Sequence, residues 1–238
     1  SRPAGFHLMA LAAKLFRLRS TVKPEILVQK LRDFRVERED PKTGQVLVEE
    51  IRNVEYSSGL LSASVLKDRP LVFRKRDEIV KTVRTLEVPF YVKFEEGRQL
   101  LLVMAKKRLA NEVASDLSRV IYGIPGGVVE ARLDHSKFKG YFEASMEGAS
   151  VIYFDQVDLP NVDVLALYGE SLRDSALYHE YLEHGKIWYV VVSLPSRNGL
   201  TVGVTRNSVI TAFGRATPQE LLEFAFGELP AMIEEGGT

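Results

Sequence analysis

The chain has 238 residues, with 32 Lys and Arg against 32 Asp and Glu, 45% hydrophobic and 27% charged residues, the arithmetic of one or two ordinary globular domains. Without cysteine there is no disulfide framework, thiol nucleophile, cysteine-ligated zinc or iron–sulfur cluster. The longest largely apolar stretch, residues 187–194 with Ser193 inside it, is strand-sized and far short of the roughly 18 residues of a membrane span, so a cytoplasmic protein without a membrane partner is expected.

Residues 1–8 lack the apolar stretch of a signal peptide and read as a cloning remnant ahead of a start at Met9. The neutral total hides an asymmetry: residues 1–150 carry 27 Lys and Arg against 20 Asp and Glu, whereas 151–238 carry 5 against 12. Such a separation bears on partners rather than on fold. A basic half suits a polyanion, and opposite halves suit attraction between copies.

Taken in order, Leu11 to Phe34 places Leu15, Leu18, Val22, Ile26 and Leu31 near helical spacing among many cations. Two helices are expected there, divided at Pro24 because proline lacks the amide donor. A turn at 40–44 opens a period-two region. Val46 to Tyr56 and Leu61 to Val65 read as a hairpin, and Val88 to Phe94 with Leu100 to Met104 as another. Residues 77–87 fit a helix through Ile79, Val83 and Leu86, and fit an edge strand by β-branched content. Lys106 to Ile121 is the clearest helix, with Leu109, Val113, Leu117 and Ile121 on one stripe. The glycine-rich turn at 122–127 is the expected boundary between a segment 9–122 and a segment 123–238.

Beyond it come a strand at 128–133, a helix capped by Asp134, strands at 149–157 and 162–168, a helix over 171–184 stopped by Gly185, and a meander of 187–194, 200–205 and 208–213. Thr217-Pro218-Gln219-Glu220 supplies an N-cap, a proline at the first helical position and a glutamate three residues on, a full start signal for the last helix. The expected class is α+β, antiparallel sheets covered by helices.

The segments 88–121 and 187–233 share an order of alternating strands, a glycine-containing turn and an amphipathic helix. With Leu101 to Ala105 leading into Lys106, and Val209 to Gly214 leading into Thr217, this order resembles the two-lobed saddle of the TATA-binding-protein superfamily. The resemblance implies two hairpin-plus-helix lobes, each a curved antiparallel sheet closed by a helix. Paired phenylalanine wedges for kinking DNA are not found and the second lobe is acidic, so it implies a fold and lends little to promoter binding.

The densest cations are Lys67, Arg69, Arg74, Lys75 and Arg76, continued by Lys81 and Arg84, with Phe73 among them and Lys106, Lys107 and Arg108 further on. Cations in this pattern neutralise phosphates and an interleaved aromatic stacks a base; the plainer reading is an edge strand guarded by charge. In His179-Glu180-Tyr181-Leu182-Glu183-His184 the two histidines are five residues apart, which turns the second about 140° from the first and fails the zincin spacing. Asp155, Asp158 and Asp163 flank Pro160, where carboxylates suit Mg²⁺ but also form turns. Asp134-His135-Ser136-Lys137 lacks the acid and the second copy that a phospholipase-D-like site needs. Phosphate-binding glycine loops and serine nucleophile elbows are absent, and Trp188 reads as core or interface. The leading expectation is a non-catalytic nucleic-acid-binding protein without a cofactor. The alternatives are a protein-interaction or self-associating subunit, and a metal-dependent hydrolase on the three aspartates.

Overall fold

The computed structural model describes residues 11–145 and 148–236; the readings of residues 1–8 and of Met9 lie outside them. The chain divides into two compact units, one made of Ser1–Leu15 with Glu130–Thr238 and the other of Phe16–Val129. In chain order the second is an insertion within the first. Charge follows this division: residues 16–129 hold 22 Lys and Arg against 16 Asp and Glu, and the remainder holds 10 against 16.

The inserted unit contains α1 (Pro24–Arg32), β2 (Arg35–Glu39), β3 (Val46–Ser57), β4 (Leu60–Lys75), β5 (Glu78–Glu95), β6 (Arg98–Val103) and α2 (Lys107–Tyr122). Its strands form an antiparallel sheet in the order β2-β3-β4-β5-β6. Leu61, Ala63 and Val65 lie opposite Val92, Phe90 and Val88, so alternation puts all six on one face. They share a buried core with Ala110, Val113, Ala114, Leu117 and Ile121 of α2. Gly123 ends α2 in the left-handed conformation (φ 74°), and Lys30 Nζ donates to the Ile121 carbonyl at 2.5 Å, which satisfies one carbonyl of the open last turn.

The first of the two helices expected over 11–34 is instead a strand, β1 (Leu11–Leu18). Residues 13–16 are all buried, because a strand covered on both faces shows no alternation to read. Lys14, which suggests an outer helical face, is fully buried and paired with Glu130 at 2.5 Å. The helix begins at Pro24, at the position where a missing amide costs nothing. The ambiguous 77–87 segment is strand from Glu78 onward, with Asp77 in the turn before it, and the short β2 was not anticipated because all five of its residues are exposed.

The discontinuous unit holds the start of β1, then α3 (His135–Ser145), β8 (Ala149–Asp155), β9 (Leu165–Tyr168), α4 (Ala176–His184), β10 (Lys186–Leu194), β11 (Leu200–Thr205), β12 (Val209–Phe213) and α5 (Pro218–Glu228). A three-residue strand, β7 (Val128–Glu130), leads back into it. The sheet runs β1-β12-β11-β10-β8-β9, antiparallel throughout. The expected capping box at Thr217 and Glu220 is formed in both directions. It orients α5 so that Leu221, Leu222, Phe224, Ala225 and Phe226 are buried. Both units are therefore antiparallel sheets with helices, an α+β fold. Among the described residues no helix is long and apolar enough to cross a membrane.

Candidate nucleic-acid interface

Strands β4 and β5 are far longer than their neighbours. Pairing of β4 with β3 ends at Glu49 opposite Lys67, and pairing of β5 with β6 ends at Phe90 opposite Val103. From Asp68 opposite Thr85 to Lys75 opposite Glu78 the two strands pair only with each other, a ribbon about 25 Å long at the usual rise per residue. Residues 69–79 are all exposed, so the alternation that marks a half-buried strand stops at the root.

An isolated two-stranded ribbon is marginal in water, and this one is fixed at its root. Lys67 Nζ, with only 8% of its side chain exposed, lies 2.6 Å from Asp116, 2.8 Å from Glu112 and 3.5 Å from Glu49. Arg69 pairs with Glu112 at 2.5 Å. Glu112 and Asp116 are one turn apart on α2, so the helix is clasped to the ribbon's base. Burial lowers the Lys67 pKa, but the hydrogen bonds and charges of its carboxylate partners outweigh this and raise it. Burial and the neighbouring Asp116 push Glu49 up, only partly offset by Lys67. On the other face, Asp68 accepts from the Val48 amide at 3.0 Å and from Thr85 Oγ1 at 2.6 Å.

Beyond the root the cations change character. Arg74, Lys75, Arg76, Lys81 and Arg84 are exposed and make no ion pair or side-chain hydrogen bond among the described residues. Cross-strand partners share a face, which puts Arg69, Leu71, Phe73 and Lys75 with Arg84, Thr82, Val80 and Glu78, and Pro70, Val72 and Arg74 with Val83, Lys81 and Ile79. Each face thus mixes charge with apolar surface: Leu71, Val72, Phe73 and Ile79 are 42%, 52%, 43% and 70% exposed. At the tip, Arg76 takes a left-handed backbone (φ 55°), a position that favours Gly or Asn. Lys106, Lys107 and Arg108 are exposed at the start of α2, where no side chain caps the first amides. The expected cation set is therefore divided: Lys67 and Arg69 belong to a carboxylate cluster, and the remaining eight face solvent.

The three aspartates of the hydrolase reading are not brought together. Asp155 is held by Arg206 through two hydrogen bonds, 3.0 and 2.9 Å. Asp158 contacts His184 Nδ1 at 2.9 Å, and Asp163 is exposed. Among the described residues no three His, Asp or Glu side chains are grouped as metal ligands. The paired orientation of Asp155 and Asp158 toward basic partners explains them structurally.

No family model matches this sequence, and no curated protein matches it significantly.

Proposed function

We propose that the protein binds nucleic acid through its inserted unit, with the β4–β5 ribbon as the arm that meets the polyanion. The observation that carries the reading is the set of five cations on that ribbon, Arg74, Lys75, Arg76, Lys81 and Arg84, with no carboxylate partner. Cations free of internal pairs retain their full attraction for phosphate. A two-stranded ribbon matches the width of the B-form major groove, and A-form RNA offers no such opening, so duplex DNA is the form it fits. Lys106, Lys107 and Arg108 stand at an uncapped helix start, which adds a favourable dipole for phosphate. Lys67 drops out of the contact set, since phosphate would have to displace three carboxylates.

The test is fluorescence anisotropy of labelled duplex DNA, single-stranded DNA and duplex RNA over a salt series. Wild-type binding to duplex DNA is expected to weaken steeply with salt. In Arg74→Ala/Lys75→Ala/Arg76→Ala the logarithmic slope falls by roughly 2 to 3, at about 0.9 per lost phosphate contact. An unchanged slope in that variant ends the reading. The exposed Leu71, Val72, Phe73 and Ile79 favour a second reading, in which the arm docks on protein or on another copy of the chain; concentration-dependent self-association without DNA affinity selects it.

A further inference from the structure

The discontinuous unit has a cleft of about 330 Å³ between the β7–α3 connection, the start of β10 and the β11–β12 turn. Trp188 lines it because of a bulge. Opposite β8, Ile187 pairs with Phe154 and Tyr189 with Tyr153, so Trp188 is the extra residue. Val190, Val192 and Leu194 face the core. Uninterrupted alternation would send Trp188 inward with them; the bulge sends Ile187 in and leaves Trp188 half-buried at the cleft. Bulges re-aim side chains in this manner next to binding sites. Of the two expected places for Trp188, core or interface, the extra residue takes it out of the core.

The polar lining is rich in unused donors. Asn207 is 9% exposed; its carbonyl accepts from Thr205 Oγ1, and its amide N–H groups have no partner among the described residues. Those N–H groups are open to solvent, because Gln45 Oε1 is the only buried side-chain nitrogen or oxygen without a partner among the described residues. His135 Nε2 accepts from the Ile187 amide at 3.1 Å, which places the ring proton on Nδ1, again without a partner. Burial, then Arg206, Lys186 and Lys139, hold the His135 pKa below its ordinary value against the pull of Asp134, so the neutral ring persists at neutral pH. The exposed Lys186 ammonium has no partner among the described residues.

The carboxylates in the lining are compensated, with one exception. Glu130 is neutralised by the buried Lys14 at 2.5 Å and approached by Arg132 at 3.7 Å, and Asp134 accepts from the Lys137 amide at the start of α3. Among the described residues only Glu234 of these carboxylates has no side-chain partner. Arg206 is fixed by Asp155 and by the Ile187 carbonyl at 2.6 Å, and its guanidinium lies 5.3 Å from the Trp188 ring centre. Arg206 is thereby held in place beside Trp188, and the free groups of the lining include the donors of Asn207, His135 and Lys186 as well as the carboxylate of Glu234.

We infer that this cleft is a binding site for a small ligand bearing an oxyanion, a carboxylate or phosphate received by Asn207, His135 and Lys186, with its apolar or ring portion against Trp188. The site lies wholly within the discontinuous unit and is independent of the ribbon.

Trp188 is the only tryptophan in the chain, so its emission reports the cleft directly. The probes are inorganic phosphate, benzoate and adenosine monophosphate at constant ionic strength. At least one is expected to give a saturable change below about 10 mM, the range of weak millimolar affinity. Phosphate against benzoate separates the two oxyanion sources, and adenosine monophosphate adds a ring. Lys186→Ala, which alters only an exposed side chain, is expected to weaken binding about tenfold, as loss of a charged hydrogen bond does. Asn207→Leu abolishes it, and Arg74→Ala/Lys75→Ala/Arg76→Ala leaves it unchanged. No saturable response to any probe, or equal responses in wild type and Lys186→Ala, overturns the inference.

Discussion

At the scale of single residues, Arg76 shows stability and charge set against each other. Its left-handed backbone at the ribbon tip (φ 55°) costs an L-residue roughly 1 kcal/mol, whereas glycine adopts it freely. Glycine also loses more chain entropy on folding, which returns part of that gain. Arg76→Gly is therefore expected to stabilise the protein by about 0.5 kcal/mol while weakening duplex binding, two effects of opposite sign in one variant. Urea denaturation and the anisotropy titration measure them separately. A variant that is both more stable and equally tight in binding would show that the arginine at the tip does nothing for nucleic acid. Lys14 makes a different point at the same scale: a fully buried lysine is tolerable only with a partner, and Glu130 supplies it at 2.5 Å.

At the scale of elements, the ribbon depends on its root more than on its own pairing. Lys67 serves three carboxylates from β3 and α2, so Lys67→Ala removes the one cation that all three share and leaves only the more exposed Arg69 beside Glu112 and Arg119 beside Asp116. Removing one partner of a buried ion cluster typically costs about 3 kcal/mol or more, and that loss is expected in the urea midpoint. Arg74→Ala/Lys75→Ala/Arg76→Ala, which touches no internal contact, is expected to stay within about 0.5 kcal/mol of wild type. Equal stability of the Lys67 and tip variants would mean that the cluster does not anchor the ribbon. The sequence shows these strands only in part. Alternation at Leu61 to Val65 and Val88 to Phe94 is read directly because one face is buried. From Asp68 to Glu87 both faces are wet, the period vanishes, and helix and strand are equally consistent with Ile79 and Val83. Lys67 belongs by composition with Arg74 to Arg76, and only its pairing with α2, 45 to 49 residues away in sequence, separates them. The Trp188 bulge is invisible for a related reason: one unpaired residue changes the face of a side chain without changing the apolar pattern around it.

At the scale of the whole molecule, the division of charge and the division of the core coincide. The hydrophobic cluster that includes Phe16, Leu27, Leu61, Phe90, Leu101, Val113 and Ile121 is drawn entirely from residues 16–128, inside the inserted unit of Phe16–Val129. That unit is one continuous stretch of chain with its own sheet and two helices, and its size is that of a common independent domain. It also holds the excess of cations, 22 against 16 acids, and every exposed cation of the proposed interface. Residues 16–129 alone are therefore expected to unfold cooperatively in urea and to bind duplex DNA with the salt slope of the full chain, because the slope counts phosphate contacts and those lie on the ribbon and the start of α2. The remaining unit carries 16 acids against 10 cations, so its removal is expected to raise affinity at low salt by relieving long-range repulsion, with the difference fading as the Debye length contracts to about 8 Å near physiological ionic strength. A folded 16–129 fragment with a much shallower slope than the full chain would place phosphate contacts outside the inserted unit and remove the ribbon as the main interface.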